Sequence, residues 1–174
     1  MDELFEILKI LLPSLVIFLV VYFLIGKYFK EENQKRHQQM ILKNQEVVTP
    51  LRLQAYERII LFLERISPEN LLVRTDKTGF TSKQLHAELI NTIRAEFEHN
   101  LTQQLYISIN SWEVVRNAKA HLIHLINSAL EKVKPETPSM NLSREILEMA
   151  MKQPKIYTLE AINQIKEEMN SLLS

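Results

Sequence analysis

Two pairs of side chains have residue types and spacing that could bind a metal ion. Glu96 and His99 are three residues apart, and so are His121 and His124, which places each pair on one side of a helix. Di-iron carboxylate bundles use a Glu-x-x-His spacing on their inward faces, but they need two such pairs and two further glutamates, and this chain has one such pair. Because Glu96 and His99 flank the apolar stripe through Phe97 rather than lie on it, we interpret them as solvated charges and assign no metal site.

A second candidate is the tetrapeptide Asp76-Lys77-Thr78-Gly79, whose letters match the phosphorylation motif of P-type ATPases. In those pumps the aspartate accepts the phosphoryl group of ATP within a large α/β domain, for which this chain has no room. Aspartate and glycine favour turns, so we interpret the tetrapeptide as a turn. The sequence also lacks the Gly-x-Ser-x-Gly, Walker and dinucleotide-binding patterns. We therefore predict no catalytic residue and no cofactor.

The composition narrows the class of protein further. Lysine and arginine together equal aspartate and glutamate at 21 each, so there is no basic surplus for nucleic acid, which we do not expect as a partner. The lack of cysteine excludes disulfides, thiolate zinc sites and a cysteine nucleophile. Only two glycines occur, whereas sheet-rich folds use glycine freely in their turns. The sequence therefore predicts an all-α fold.

The N-terminal segment, residues 1–26, predicts a single transmembrane helix. Residues 10–25 contain no charge and lie between Lys9 and Lys27. As a helix they span roughly 25 Å, a little less than a hydrocarbon core of about 30 Å. A cleaved signal peptide would have a basic start, whereas this chain starts with Asp2 and Glu3. A buried core helix would have a polar face, which these residues lack.

Basic residues are denser after the apolar segment than before it, where Lys9 is the only lysine or arginine. By the positive-inside rule, this bias predicts that the N-terminus lies outside and that the rest of the chain is cytoplasmic. Aromatic rings that follow the segment would form a belt at the membrane surface. The predicted membrane-interface residues are Lys27, Tyr28, Phe29, Lys30, Lys35 and Arg36.

After the anchor, the hydrophobic pattern divides the chain into three parts. Residues 27–49 are polar and predict a helical stalk, which ends where Thr49 caps a new helix that begins at Pro50. Residues 50–134 predict a core helical domain, and residues 135–174 predict a linker and two C-terminal helices. Helical spacing of apolar residues predicts a small bundle of about five helices, at residues 51–66, 81–105, 111–133, 142–152 and 158–173.

Three local features refine this bundle. Thr81 and Gln84 match a capping box, which predicts the start of a helix. Residues 69–80 are interpreted as a loop that contains a short apolar run. On the last helix, the residues predicted to face inward are Leu159, Ile162, Ile165, Met169 and Leu172.

Three stretches carry a family resemblance: residues 53–68 (LQAYERIILFLERISP), 84–90 (QLHAELI) and 96–106 (EFEHNLTQQLY). They resemble a family of uncharacterised single-pass membrane proteins from Bacteroidota, over most of residues 50–130. The resemblance implies a bacterial inner membrane with the helical domain in the cytoplasm. It implies no activity and no site residue.

The sequence favours a non-enzymatic interaction or scaffold module, held at the cytoplasmic face of the membrane as an accessory subunit of a membrane complex. Its expected partners are the lipid bilayer, other subunits of that complex and, as a further candidate, a second copy of the chain. Two alternatives stay open. One is a metal-dependent helical-bundle enzyme that uses Glu96, His99, His121 and His124. The other is a sensor of anionic lipid surfaces that uses Lys27, Lys30, Lys35 and Arg36.

Overall fold

A computed structural model gives the architecture of the chain. It describes the backbone of residues 2–75 and 79–173, and the side chains of residues 18, 21–36, 38–40, 42, 43, 45–75 and 79–172. The prediction of an all-α fold is confirmed, since these residues form helices and a single isolated β-bridge. The helices are α1 (Asp2–Arg65), α2 (Pro68–Thr75), α3 (Ser82–His99), a 3-10 helix (Leu101–Leu105), α4 (Ile109–Glu131), α5 (Ser139–Lys152) and α6 (Tyr157–Leu173).

The chain separates into two compact units, residues 1–49 and residues 50–174. The first unit contains the N-terminal part of α1. Among the residues whose side chains are described, no helix has both the length and the apolar composition that a bilayer span requires. Most of the predicted anchor, residues 1–26, is not among the residues whose side chains are described, the first of which is Phe18. The predicted stalk is helical, and its exposed charges form ion pairs one turn apart, Lys27 with Glu31 and Arg36 with Glu32.

Pro50 lies inside α1 and does not begin a new helix, so the predicted helix boundary at Thr49 is wrong. A proline inside a helix removes one backbone hydrogen bond and costs about 3 kcal/mol. The residues that follow it bury a wide apolar face, which includes Ala55, Tyr56 and Ile59. Burial of each large apolar side chain contributes about 1.5–3 kcal/mol, so the packing of this face offsets the cost of the proline.

The core of the second unit joins residues 50–65 of α1 with the five helices that follow. Helix α4 packs against α3, α5 and α6, and α2 packs against α3 and α5. The apolar stripes of the sequence form this core, because residues three or four apart lie on one helical face. The largest completely buried side chains are Tyr56, Ile59, Phe62, Leu63, Ile66, Leu71, Leu85, Leu89, Ile93, Ile126, Leu142 and Ile146.

The loop predicted over residues 69–80 is wrong in its first half, which forms α2. Pro68 occupies the first position of this short helix, and Leu71 and Leu72 are buried. Helix α3 ends at His99, earlier than predicted, because Asn100 caps it and a 3-10 helix follows. The capping box at the start of α3 is confirmed: Gln84 N–H donates to Thr81 Oγ1, and Thr81 N–H donates to Gln84 Oε1.

Two of the inward positions predicted on α6 are also wrong. Ile162 and Ile165 are buried, and Met169 packs against the core. Leu159 and Leu172 are instead 51% and 41% exposed. The apolar stripe on α6 is therefore wider than the part of the core that packs against it. Leu159 instead lines a groove that is described below.

Candidate functional site

Glu96, the carboxylate of the metal hypothesis, is bound by two arginines. Arg74 Nη2 donates to its Oε1 over 3.0 Å, and Arg65 Nη1 donates to its Oε2 over 3.3 Å. Burial raises the pKa of Glu96, but the hydrogen bonds and charges of the two arginines outweigh burial and hold that pKa below its ordinary value. Glu96 thus links the end of α1 and α2 to α3, and its lone pairs are taken by guanidinium groups.

The structure does not bring the four metal candidates together. His121 stacks on Tyr157 of α6, with ring centroids 3.7 Å apart and planes 7° from parallel. His99 and His124 are exposed. Among the residues whose side chains the structure describes, no group of three or more His, Cys, Asp or Glu side chains could hold one ion. Each predicted pair lies on one helix. However, Glu96 binds two arginines, and His121 stacks on an aromatic ring.

The tetrapeptide that matches the pump motif lies mostly outside the described residues, since Asp76, Lys77 and Thr78 are not among them. Gly79 is described and has a φ of 91°. L-residues rarely adopt this left-handed conformation, so the glycine suits a turn at this point.

A polar network joins α1, α4 and α6, and no local sequence pattern indicates it. Tyr56 OH donates to Glu168 Oε1 over 2.8 Å. Ser108, the N-cap of α4, donates its backbone N–H to Oε1 over 2.8 Å and its hydroxyl to Oε2 over 2.6 Å. Burial raises the pKa of Glu168, but the hydrogen bonds from Ser108, Ser111 and Tyr56 outweigh it and lower the pKa. A carboxylate at a helix N-terminus is also favoured by the helix dipole.

Arg52 extends this network towards the turn before α4. Its Nε donates to the carbonyl oxygen of Tyr106 over 3.1 Å, and its Nη2 donates to the Tyr56 hydroxyl over 3.4 Å. Among the described residues, no buried side-chain nitrogen or oxygen lacks a hydrogen-bond partner, so we interpret this network as a structural joint.

An aromatic cluster lies beside α3. Phe97 stacks on Trp112 with ring centroids 5.3 Å apart, and Phe62 lies 5.9 Å from Phe97. Lys119 Nζ lies 3.6 Å from the centre of the Phe97 ring, a cation–π contact. Burial, together with the neighbouring arginines, lowers the pKa of Lys119. Lys119 thus covers the edge of the core.

An apolar groove lies in the second unit, beside the C-terminal end of α1. The groove has a volume of about 430 Å³, within the range of binding sites. Its walls come from the end of α1, the turn before α2, the end of α5 and the start of α6. Met151, Ile156 and Leu159 line it and are 85%, 54% and 51% exposed. We call this feature the α5–α6 groove. Its side chains lie apart in the sequence, which explains why sequence reasoning missed it.

The predicted membrane-interface residues all lie on α1 in the first unit. Lys27, Tyr28, Phe29, Lys30, Lys35 and Arg36 are exposed. Tyr28 and Phe29 meet edge to face, with ring centroids 6.3 Å apart. Lys27 and Arg36 each have a glutamate one turn away, which reduces the positive charge that they offer to a lipid surface.

Comparison with known proteins places the whole chain in one family. No curated protein and no solved structure matches it. The model of a family of unknown function, DUF7935, matches residues 2–172. The match covers almost the full length, including the N-terminal segment and both units. This chain therefore belongs to DUF7935, a family whose function is unknown.

Proposed function

We propose that this protein is a membrane-anchored, non-enzymatic interaction module, which binds another protein through the α5–α6 groove. The observation that carries the proposal is the exposure of large apolar side chains in a concave surface. Met151, Ile156 and Leu159 line this surface and are 85%, 54% and 51% exposed. Exposed apolar surface in a concave setting is typical of a binding site.

The polar side chains of the second unit support binding over catalysis. Glu96 is held by Arg65 and Arg74, and Glu168 by Ser108 and Tyr56. Catalytic carboxylates generally have a face open to substrate and a pKa adjusted towards neutral pH. The pKa values of both glutamates are lowered, so each stays a charged structural partner at neutral pH.

The proposed location is the bacterial inner membrane, with the N-terminus outside and the helical unit in the cytoplasm. It is supported by the uncharged run of residues 10–25 and by the lysines and arginine that follow it. A single anchor of this kind concentrates the groove near other membrane proteins, which favours weak, reversible binding. The proposed partner is accordingly a subunit of a membrane complex.

Because the sequence contains no cysteine, a single introduced cysteine can be labelled selectively to test the groove by cross-linking. We would introduce Met151→Cys into the full chain, attach a photoreactive maleimide and irradiate membranes of the source cell. Met140→Cys is the matched control, because Met140 is also an exposed methionine of α5 and does not line the groove. We expect a discrete protein adduct from position 151 and none from position 140. Equal labelling from both positions, or none from either, would reject the proposal.

The same background tests the location separately. A single cysteine introduced as Asn33→Cys should resist a membrane-impermeant maleimide in intact cells, whereas Asp2→Cys should react with it. Alkaline carbonate should leave the full chain in the membrane pellet and release a variant that lacks residues 2–26. Release of the full chain would reject the anchor without bearing on the groove.

A further inference from the structure

The charged side chains that line the α5–α6 groove have one sign. Among the described residues that line it, the charged ones are Glu64 and Glu69. Both are exposed, and neither has an ion-pair partner in the described part of the chain. Other glutamates of the same unit do have such partners: Glu145 lies 3.1 Å from Lys132, and Glu160 lies 2.9 Å from Lys155. The groove thus combines an apolar floor with two carboxylates that no cation among the described residues pairs with.

Ser67 of the groove lining and the nearby Asn70 make hydrogen bonds within the fold. Ser67 Oγ donates to the carbonyl oxygen of Glu64 over 2.8 Å, and Asn70 Nδ2 donates to the same oxygen over 2.9 Å. The Ser67 carbonyl oxygen accepts the N–H of Leu71. A ligand would therefore be recognised by apolar contact and by positive charge at the rim. Fatty acids and anionic lipid head groups carry the wrong charge for this rim.

The surroundings of the groove distinguish between the common ways of binding a peptide. Strand addition needs an open strand edge, and the described residues form only one isolated bridge, between Thr81 and Pro138. Polyproline segments dock on aromatic rings, and the described residues that line the groove include no aromatic side chain. Helix-in-groove binding needs an apolar surface that adapts to its ligand, and methionine provides such adaptability because its side chain is flexible and polarizable. Met151 provides such an adaptable side chain in the α5–α6 groove.

We propose that the α5–α6 groove binds an amphipathic helix whose apolar stripe is flanked by lysine or arginine. The inference rests on the proposed function and names the chemistry of its partner. Apolar side chains of the helix contact Leu147, Met151 and Leu159, and its basic residues pair with Glu64 and Glu69. Pairs at a solvent-exposed rim contribute modestly to affinity, but they select a basic partner over an acidic one.

The test uses the full chain in nanodiscs of zwitterionic lipid, with two fluorescent peptides of about four helical turns. Both peptides carry the same leucine stripe, and they differ in having lysine or glutamate beside it. Fluorescence anisotropy, corrected with empty nanodiscs, gives the two dissociation constants. We expect the lysine peptide to bind about tenfold more tightly, a preference that weakens as salt screens the rim.

Charge reversal supplies the matched variants. The double variant Glu64→Lys/Glu69→Lys should invert the preference, so that the glutamate peptide binds more tightly. The control Glu57→Lys/Glu113→Lys makes the same change of net charge at exposed glutamates that do not line the groove, and it should keep the original order. Far-UV circular dichroism confirms that each variant is folded. Leu159→Asp, which puts a charge on the floor, should weaken both peptides.

Three outcomes would overturn the inference: equal affinity for the two peptides, an equal effect of both charge-reversal pairs, or displacement of the lysine peptide by oleate or by a second copy of the chain. If the photoreactive group at position 151 still captures a protein in source membranes, these outcomes reject the basic helix and leave the proposed function intact. If that capture also fails, the proposed function is rejected as well.

Discussion

The phenol hydroxyl of Tyr56 donates a hydrogen bond to Glu168 Oε1 over 2.8 Å, and the two residues are 112 positions apart in the chain. Tyr56 is completely buried. Burial, followed by the hydrogen bond and the negative charge of Glu168, raises the pKa of Tyr56 to about 12, and Arg52 opposes this rise only in part. The neutral phenol therefore forms part of the fold, together with the carboxylate that it binds.

The first prediction concerns alkaline stability. The pKa of Tyr56 rises from 10.0 in the unfolded chain to about 12 in the folded one. A raised pKa gives stability that is fully present below pH 10.0 and is lost as the pH rises through about 12. Thermal unfolding in detergent should therefore show a loss of stability across this window that the Tyr56→Phe variant lacks. Tyr28→Phe, at an exposed tyrosine, is the control and should behave like the wild type.

Glu168 should stabilise the fold above the acid range. Because its pKa is lowered, its contribution is present above the ordinary value of 4.5 and is lost as the pH falls through the lowered pKa. We expect Glu168→Gln to lose about 1.5–3 kcal/mol in the free energy of unfolding at pH 7, as hydrogen bonds to a charged group are lost. The neighbouring Glu167→Gln, at an exposed position, should change it by less than about 0.5 kcal/mol. Equal losses in the two variants would contradict the network.

The ion pairs of Glu96 predict a similar but separate effect. Its side chain is only 14% exposed, and it binds both Arg65 and Arg74. We expect Glu96→Gln to lower the free energy of unfolding by about 0.5–1.5 kcal/mol at neutral pH, because a mostly buried carboxylate loses its hydrogen bonds to two arginines whose own exposure weakens each ion pair. The deficit should shrink as the pH falls through the lowered pKa of the wild-type carboxyl, below 4.5. Glu98→Gln, one exposed residue of the same helix, is the control; an equal deficit there would count against the assignment.

Two apolar residues of α6 should respond differently to truncation. Ile165 is completely buried, so Ile165→Ala should cost about 2–5 kcal/mol, the range for removing a large core side chain. Leu159 is half exposed in the groove, so Leu159→Ala should cost less than about 1 kcal/mol and should instead weaken partner binding. Chemical denaturation and the peptide titration measure the two effects. A large stability loss in Leu159→Ala would mean that this residue belongs to the core.

The helices could be predicted from the sequence because their apolar stripes repeat at helical spacing. Leu85, Leu89 and Ile93 form such a stripe, and all three are buried as expected. The capping box at Thr81 could be predicted for a different reason, since its signal lies within four residues. Helix α2 was missed because a helix of eight residues is too short for its spacing to stand out from a loop.

The candidate site could not be predicted in the same way. Spacing placed Glu96 and His99 on one helix correctly, but it could not reveal that Arg65 and Arg74 come from other helices to bind Glu96. Pro50 illustrates a similar limit: the local rule favours a helix start, and the tertiary burial of the residues that follow it overrides that rule. The groove depends on how α5 and α6 pack, which no single segment encodes.

The separation of Tyr56 from Glu168 has a consequence during synthesis. The ribosome releases Tyr56 and Arg52 long before it adds the acceptor carboxylate, 112 residues later. In that interval the phenol has no α6 to bind, and the apolar face of α1 around it is uncovered. Closure of the domain must wait for the translation of α6, so the part of that face which α6 covers stays open until the last helix is made.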